Sequence, residues 1–401
     1  MRVLIVGYGL AGTMAAKTLR ELDPSIGIEI FAEENYPYYP RPNLIDFIAG
    51  ILPRERIFAF PADWNVRQKI GLHSGTPVRR VNAEKAEIVL EGGATESYDA
   101  LLLADGSSSF IPPVKGIEKK GVFSLKTLND ALAILDFLGT HGRVVVLGGG
   151  LLGLEIARAL RNRGAEVEVV EFFDRLLPRQ LDSEAAAILR GQIERTGIKV
   201  RLGVATEEIT GGDEADGLRF KGGDSTSCSM VVVAAGVRPN VSLAKEAGLA
   251  ADRGVLVDDG LRTNRPGIFA AGDNTQHRDR IYGIIPAAFD QARAAAYSIL
   301  GQEKPYQGTV PSNTLKVAGL YVTSVGLVNP EAGGAEELRA VHQEAGVYKK
   351  IVLQKGRLAG AIWMGTKKGA TEISRAVSRN IPAESWKQAL LEDDFDFTLL
   401  D

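Results

Sequence analysis

The chain carries the same short glycine pattern twice. Gly7-Tyr8-Gly9-Leu10-Ala11-Gly12 follows the apolar run Val3-Leu4-Ile5-Val6, and Gly148-Gly149-Gly150-Leu151-Leu152-Gly153 follows Val144-Val145-Val146-Leu147. Each loop opens a stretch rich in alanine and leucine. A buried parallel strand, a glycine turn and a helix in that order aim a helix N-terminus at a pyrophosphate, and glycine lets the backbone approach it. One such loop is a weak signal, because a strand-to-helix turn needs glycine for its own geometry. Two with the same surroundings restrict the fold to paired dinucleotide-binding units.

An acid completes each unit. The strand Ile28-Glu29-Ile30-Phe31-Ala32 leads to Glu33, and Val167-Glu168-Val169-Val170 leads to Glu171. A carboxylate there binds both ribose hydroxyls and repels a 2′-phosphate, so both sites suit FAD or NAD rather than NADP. Arg175, four positions past Glu171, is the residue type that meets a 2′-phosphate, but with Glu171 in place NADH is preferred.

At 401 residues, 45% of them apolar, the chain suits two or three domains. A net charge of −3 gives no general attraction to nucleic acid or anionic lipid. No apolar run approaches the roughly 18 to 20 residues of a membrane span, and the run before Gly7 is too short for a signal peptide. A cytoplasmic protein is expected. Cys228 is the only cysteine, which excludes a two-cysteine relay within one subunit. It opens a strand-like segment, where packing is favoured over reactivity. His73, His141, His277 and His342 are scattered without metal-like spacing, so they read as surface or loop residues and no metal is expected.

After the first unit, Asn35-Tyr36-Pro37-Tyr38-Tyr39-Pro40-Arg41-Pro42 is a rigid extended loop. Segments 75–81 and 84–90 alternate like a small antiparallel sheet, and a buried strand over 98–103 ends at Ala104-Asp105-Gly106. Pro112-Pro113 makes a hinge. The plan then repeats: a helix over 130–138, the strand at Val144, the strand ending in Glu171, a helix over 183–196, a strand over 199–202 and a buried run over 230–235 ending at Gly236. Later come a short strand stopping at Gly272-Asp273 and an alanine-rich helix over 286–300. Beyond Pro311, β-like runs at 320–328 and 348–354 and a helix near 372–379 form a third, smaller domain. The acidic stretch 392–397, with two aromatics, reads as a solvated tail or lid rather than a partner motif.

With these motifs in hand the chain resembles the pyridine nucleotide-disulfide oxidoreductase family. It is most similar to the branch without a redox disulfide: NADH:rubredoxin reductases, ferredoxin reductases of oxygenase systems, and the flavoprotein portion of NADH-dependent nitrite reductases. The motifs are the two glycine loops with their acids, Pro37-Tyr38 with Arg41-Pro42, Ala104-Asp105-Gly106-Ser107, Leu176-Leu177-Pro178-Arg179, Ala235-Gly236-Val237-Arg238-Pro239-Asn240 and Phe269-Ala270-Ala271-Gly272-Asp273.

The resemblance implies an α/β fold with two Rossmann-like dinucleotide-binding domains, glutathione-reductase-like, plus a C-terminal α+β domain. Residues 1–112 with 241–311 would bind FAD, 113–240 would bind NAD, and 312–401 would form an interface domain. At the FAD site it implies Gly7, Gly9, Leu10, Ala11 and Gly12 at the pyrophosphate and Glu33 at the adenosine ribose. Arg41 and Pro42 would lie toward the adenine-side phosphate, with Val78, Ala104, Asp105, Gly106, Gly272 and Asp273 completing the set. Asp273 also fits a helix N-cap, although its whole motif favours the flavin. For NADH it implies Gly148, Gly150, Leu151, Leu152 and Gly153 at the pyrophosphate, Glu171 at the ribose, Gly236 beneath the cofactor and Glu155 near the nicotinamide. An acid in a first helical turn also serves the dipole.

Two departures stand out. The family usually has Thr where Asp105 stands, and a carboxylate beside a pyrophosphate is unfavourable unless it points away or caps a turn. The disulfide-free branch often carries a lysine shortly after the Arg-Pro pair, where Asn43-Leu44-Ile45-Asp46 follows here.

The resemblance further implies hydride transfer from NADH to the flavin, which asks little of side chains beyond placement. The expected acceptor is a small redox protein, rubredoxin or ferredoxin, and similar proteins often dimerise through the third domain. Lys349, Lys350, Lys355, Arg357, Lys367 and Lys368 read equally as a steering patch for an acidic acceptor and as a solubilising surface. The alternatives are an NADH oxidase making peroxide and an NADH-sensing flavoprotein with slow turnover.

Overall fold

The computed structural model describes residues 1–139, 142–317, 319–331 and 333–400. His141 lies outside them. The chain divides into two compact units. The first is Met1–Asn43, Pro53–Ser108 and Val237–Thr309; the second is Leu44–Leu52, Ser109–Gly236 and Val310–Asp401.

The first unit is built on a five-stranded parallel sheet in the order Ile268–Ala270, Ala100–Leu103, Arg2–Val6, Gly27–Phe31, Ile70–His73. Its central strand is apolar at successive positions because it is covered on both faces. Val3 and Ile5 pack with helices Leu10–Leu22 and Ile285–Ile299, through Ala15, Leu19, Ala292 and Ala295. Leu4 and Val6 pack the other way, against Val78, Val81 and Ile88. Those three belong to an antiparallel sheet of Val78–Asn82, Glu87–Leu90 and Thr95–Ser97.

The second unit repeats this plan. Its parallel sheet runs Lys199–Arg201, Glu166–Val170, Arg143–Leu147, Met230–Val233, Val122–Ser124, again with the first strand of the nucleotide unit in the middle. Helices Leu151–Asn162 and Ser183–Arg195 follow their strands. Helix Leu128–Leu138 begins two residues before the expected 130, because Thr127 and Asp130 form a capping box. A three-stranded antiparallel sheet, Thr206–Thr210, Gly217–Phe220 and Ser225–Ser227, lies over a core that contains Cys228.

The third region has five antiparallel strands in the order Ser312–Val317, Leu320–Gly326, Arg357–Met364, Val347–Gln354, Glu336–His342, with helix Ala370–Ser378 packed on them. The stretch 392–397, expected as a solvated tail or lid, exposes its acids but is anchored through its aromatics. Phe397 is 7% exposed and meets Trp363 edge-on at 5.8 Å between ring centroids. Among the described residues no helix is long and apolar enough to cross a membrane.

Candidate functional site

The two glycine loops share one geometry. In the first, the Gly7 N–H donates to Phe31 O at 2.8 Å, and the Ala104 N–H donates to Val6 O at 2.8 Å. In the second, the Gly148 N–H donates to Val170 O and the Ala234 N–H to Leu147 O, both at 2.8 Å. Gly7 has φ +108° and Gly148 φ +122°. A Cβ on Gly7 would lie 2.3 Å from Ala104 O, and one on Gly148 would lie 2.4 Å from Ala234 O.

The third glycines are just as constrained, since a Cβ on Gly12 would meet Gly7 O at 2.1 Å and one on Gly153 would meet Gly148 O at 2.0 Å. The middle glycines differ: a Cβ on Gly9 or Gly150 would find nothing within 4 Å. Outer glycines are thus required by the protein itself, whereas the middle ones border open space.

Gly9 and Gly150 are also the N-caps of helices Leu10–Leu22 and Leu151–Asn162, with no side-chain cap and no acid in the first turn. The N–H groups of Leu10, Ala11, Leu151 and Leu152 therefore start helices with no capping side chain and no acid of their own first turn to compete with a bound diphosphate.

The two ribose acids differ. Glu33 is exposed. Glu171 is 6% exposed, and its carboxylate accepts from the N–H of Gly149 at 2.5 Å and of Phe173 at 2.8 Å. It therefore ties the end of its strand to the glycine loop. Arg175 is engaged with Asp174 at 3.0 Å and with the Pro178 carbonyl at 3.5 Å.

Around the first loop, Asp273 Oδ2 accepts from Ser107 Oγ at 2.8 Å. It does not cap a helix; strand Thr275–His277 follows, and helix Ile285–Ile299 has Ile284 as its N-cap. Gly272 has φ +99°, and its N–H donates to Gln291 Oε1 at 2.8 Å. Asp105 is turned onto Asn274, whose Nδ2 donates to its Oδ1 at 2.7 Å, while its main-chain oxygen accepts from Asn240 Nδ2 at 2.7 Å. Burial pushes its carboxyl up to about 6, against the Asn274 bond.

Gly106 (φ +69°) and Gly236 (φ +108°) border open space. Arg41 pairs with Glu34 Oε1 at 2.5 Å and donates to the Tyr39 hydroxyl. Pro42 immediately precedes helix Asn43–Ile48, and the Val78 side chain belongs to the core. Sequence reasoning missed Asn274 and Gln291, each a single polar residue in a stretch whose pattern signals only strand or helix.

Glu155 lies beyond the first turn of its helix, so a dipole role does not account for it. Burial raises its carboxyl; Arg158 opposes the shift and Asp46 adds to it. Asp46, found where a lysine was expected, pairs with Arg158 at 3.7 Å, so an arginine one turn past Glu155 supplies the local cation.

Other expectations change. His277 is fully buried and bonded to Asp259 at 2.8 Å, not on the surface. Lys349 and Lys350 are each 3% exposed and cannot form a steering patch. Lys349 pairs with Asp393 at 2.6 Å; Lys350 pairs with Asp182 at 3.0 Å and Glu337 at 2.7 Å. Cys228 is buried and its thiol is pushed up to about 12, too high for a reactive thiolate. Among the described residues no group of three His, Cys, Asp or Glu could hold a metal.

Residues 1–292 match the model of the pyridine nucleotide-disulphide oxidoreductases, and residues 311–381 match that of the rubredoxin NAD+ reductase C-terminal domain. A nitrite reductase [NAD(P)H] of Bacillus subtilis is 34% identical over 98% of this chain and 49% of its own length, so the chain spans about half of that relative. An NADH oxidase of Methanocaldococcus jannaschii is 32% identical over 96% of this chain and 92% of its own length. The ferredoxin reductase of the CYP199A2 system from Rhodopseudomonas palustris superimposes with a TM-score of 0.89 at 26% identity, covering 99% of each chain.

Proposed function

The chain belongs to the pyridine nucleotide-disulphide oxidoreductase family, and from that premise we propose that it passes electrons from NADH through FAD to a small redox protein, a rubredoxin or a ferredoxin. FAD and NAD(H) are the cofactors of this family. The observation that carries the reading is the pair of glycine cradles of equal geometry, each with an open middle glycine and an uncapped helix start.

The residues fit the groups. In the proposed division, residues 1–112 and 241–311 hold FAD: Leu10 and Ala11 offer N–H groups to the diphosphate, Glu33 faces water ready for a ribose, and Gly272-Asp273 forms a turn held from two sides. Residues 113–240 hold NADH through Leu151, Leu152 and Glu171, and residues 312–401 form the interface domain. When bound, FAD supplies the exchange between a two-electron donor and one-electron acceptors. The protein orients both dinucleotides and keeps sulfur out of the path, since its cysteine is a buried thiol. Glu155 and Arg158 supply the charges beside the expected nicotinamide position.

Stopped-flow reduction by NADH, followed by mixing with rubredoxin, ferredoxin or oxygen, tests the proposal. Rapid reoxidation by a protein acceptor and slow reoxidation by oxygen are expected. The similarity to an NADH oxidase over 92% of its length favours a second reading. Oxygen consumption faster than either protein reaction, with peroxide as product, would establish that reading instead.

A further inference from the structure

Helix Ile285–Ile299 buries a face made almost wholly of alanine: Ala288, Ala292, Ala295 and Ala296 pack into the core of the first unit. Gln291 lies among them and is only 1% exposed. A carboxamide has one acceptor oxygen and two N–H donors, and a donor enclosed without a partner is costly. The orientation of this one is fixed, because the Gly272 N–H can only donate and must face Oε1, at 2.8 Å. Nε2 is thereby left enclosed, with no acceptor among the described residues. Alanine or leucine would fill such a position without that cost.

What surrounds the carboxamide explains its presence. It holds Gly272, the residue before Asp273, in a turn with φ +99°. A Cβ on Gly272 would lie 3.0 Å from the Ala11 Cβ, so the turn also touches the first turn of helix Leu10–Leu22. That helix starts at Gly9, which borders open space and carries no side-chain cap.

We propose that Gln291 is a FAD-binding residue whose Oε1 holds the Gly272 N–H while its Nε2 donates to an oxygen of the dinucleotide bound at the Gly272-Asp273 turn. The inference rests on the reading of the first glycine loop as the FAD site. It gives one side chain two separable tasks, shaping the turn in the empty protein and donating a hydrogen bond in the loaded one.

Holoprotein stripped of flavin, as wild type, Gln291→Glu and Gln291→Met, provides the test. FAD dissociation constants come from quenching of flavin fluorescence, and apoprotein stability comes from urea unfolding. Glu keeps an acceptor for Gly272 but replaces the donor with a second oxygen. Gln291→Glu is expected to bind FAD about ten- to a hundredfold more weakly at pH 8 and to recover affinity as the pH falls and the carboxyl regains an O–H. Gln291→Met, which lacks the donor at every pH, is expected to be weak throughout. FAD affinity within twofold of wild type in a folded Gln291→Met protein overturns the inference and leaves the flavin site standing. A wild-type apoprotein that takes up no FAD overturns the flavin reading itself.

Discussion

Glycines that look alike in a pattern do different work in space. Gly12 is closed in by the Gly7 carbonyl, so Gly12→Ala should destabilise the apoprotein by about 1–3 kcal/mol, measured by urea unfolding. Gly9 faces open space, so Gly9→Val should leave that stability nearly intact and yield colourless protein. The sequence made the glycines and terminal acids legible because their spacing is periodic with the strand-turn-helix unit. Asn274 and Gln291 had no such spacing to betray them, and Asp105 was visible only as a departure whose outcome depended on Asn274. That outcome has a pH signature. Asp105 keeps its proton to about pH 6 in the folded chain, whereas an unfolded aspartate releases it near 3.8. Between those values unfolding releases a proton, so stability falls as pH rises through the window, and the loss is complete above about pH 6. Asp105→Asn, which keeps an acceptor for Asn274, should therefore match wild type near pH 4 and exceed it by about 1–3 kcal/mol at pH 8.

Strand ends, rather than strands, carry the asymmetry between the two nucleotide units. Both second strands lead on to a glutamate, Glu33 two residues and Glu171 one residue past the strand end, but of the two only Glu171 reaches back to the loop, where it satisfies the buried Gly149 N–H. Glu171→Ala should cost about 1–3 kcal/mol in urea unfolding as well as weakening NADH binding, with the flavin retained. Glu33→Ala should change stability by no more than about 0.5 kcal/mol, because that side chain is exposed. The apolar strands at Val3, Val144 and Met230 were readable because burial on both faces leaves a continuous hydrophobic run. In the third region, Glu336–His342 and Arg357–Met364 were not. The first is an edge strand whose residues are mostly exposed or half-buried. The second contains Gly360, which breaks the apolar pattern yet is needed there, since a Cβ on it would lie 1.9 Å from the Leu327 carbonyl oxygen.

At the level of the whole molecule, a charge count misplaces the cations. A net charge of −3 leaves any attraction to an acidic acceptor to local patches, and two of the six expected third-region cations are spent inside the fold. Lys350 stands between Asp182, the N-cap of helix Ser183–Arg195, and Glu337 on the neighbouring strand, while the Tyr348 hydroxyl donates to the same Asp182 at 2.6 Å. These bonds join the second nucleotide fold to the third-region sheet within one compact unit. Removing the cation leaves two carboxylates facing each other, so Lys350→Met should cost about 3–5 kcal/mol in urea unfolding. Lys355, Arg357, Lys367 and Lys368 remain exposed and are the members of that set that can act through solvent. If electron transfer is steered from this region, the rate of flavin reoxidation by an acidic ferredoxin should fall with ionic strength equally in wild type and in folded Lys350→Met. Joint replacement of Lys355 and Lys367 by Glu should flatten that dependence. A flattened dependence in Lys350→Met alone would show that the buried lysine reaches the acceptor after all, and the assignment of its charge to Asp182 and Glu337 would have to be withdrawn.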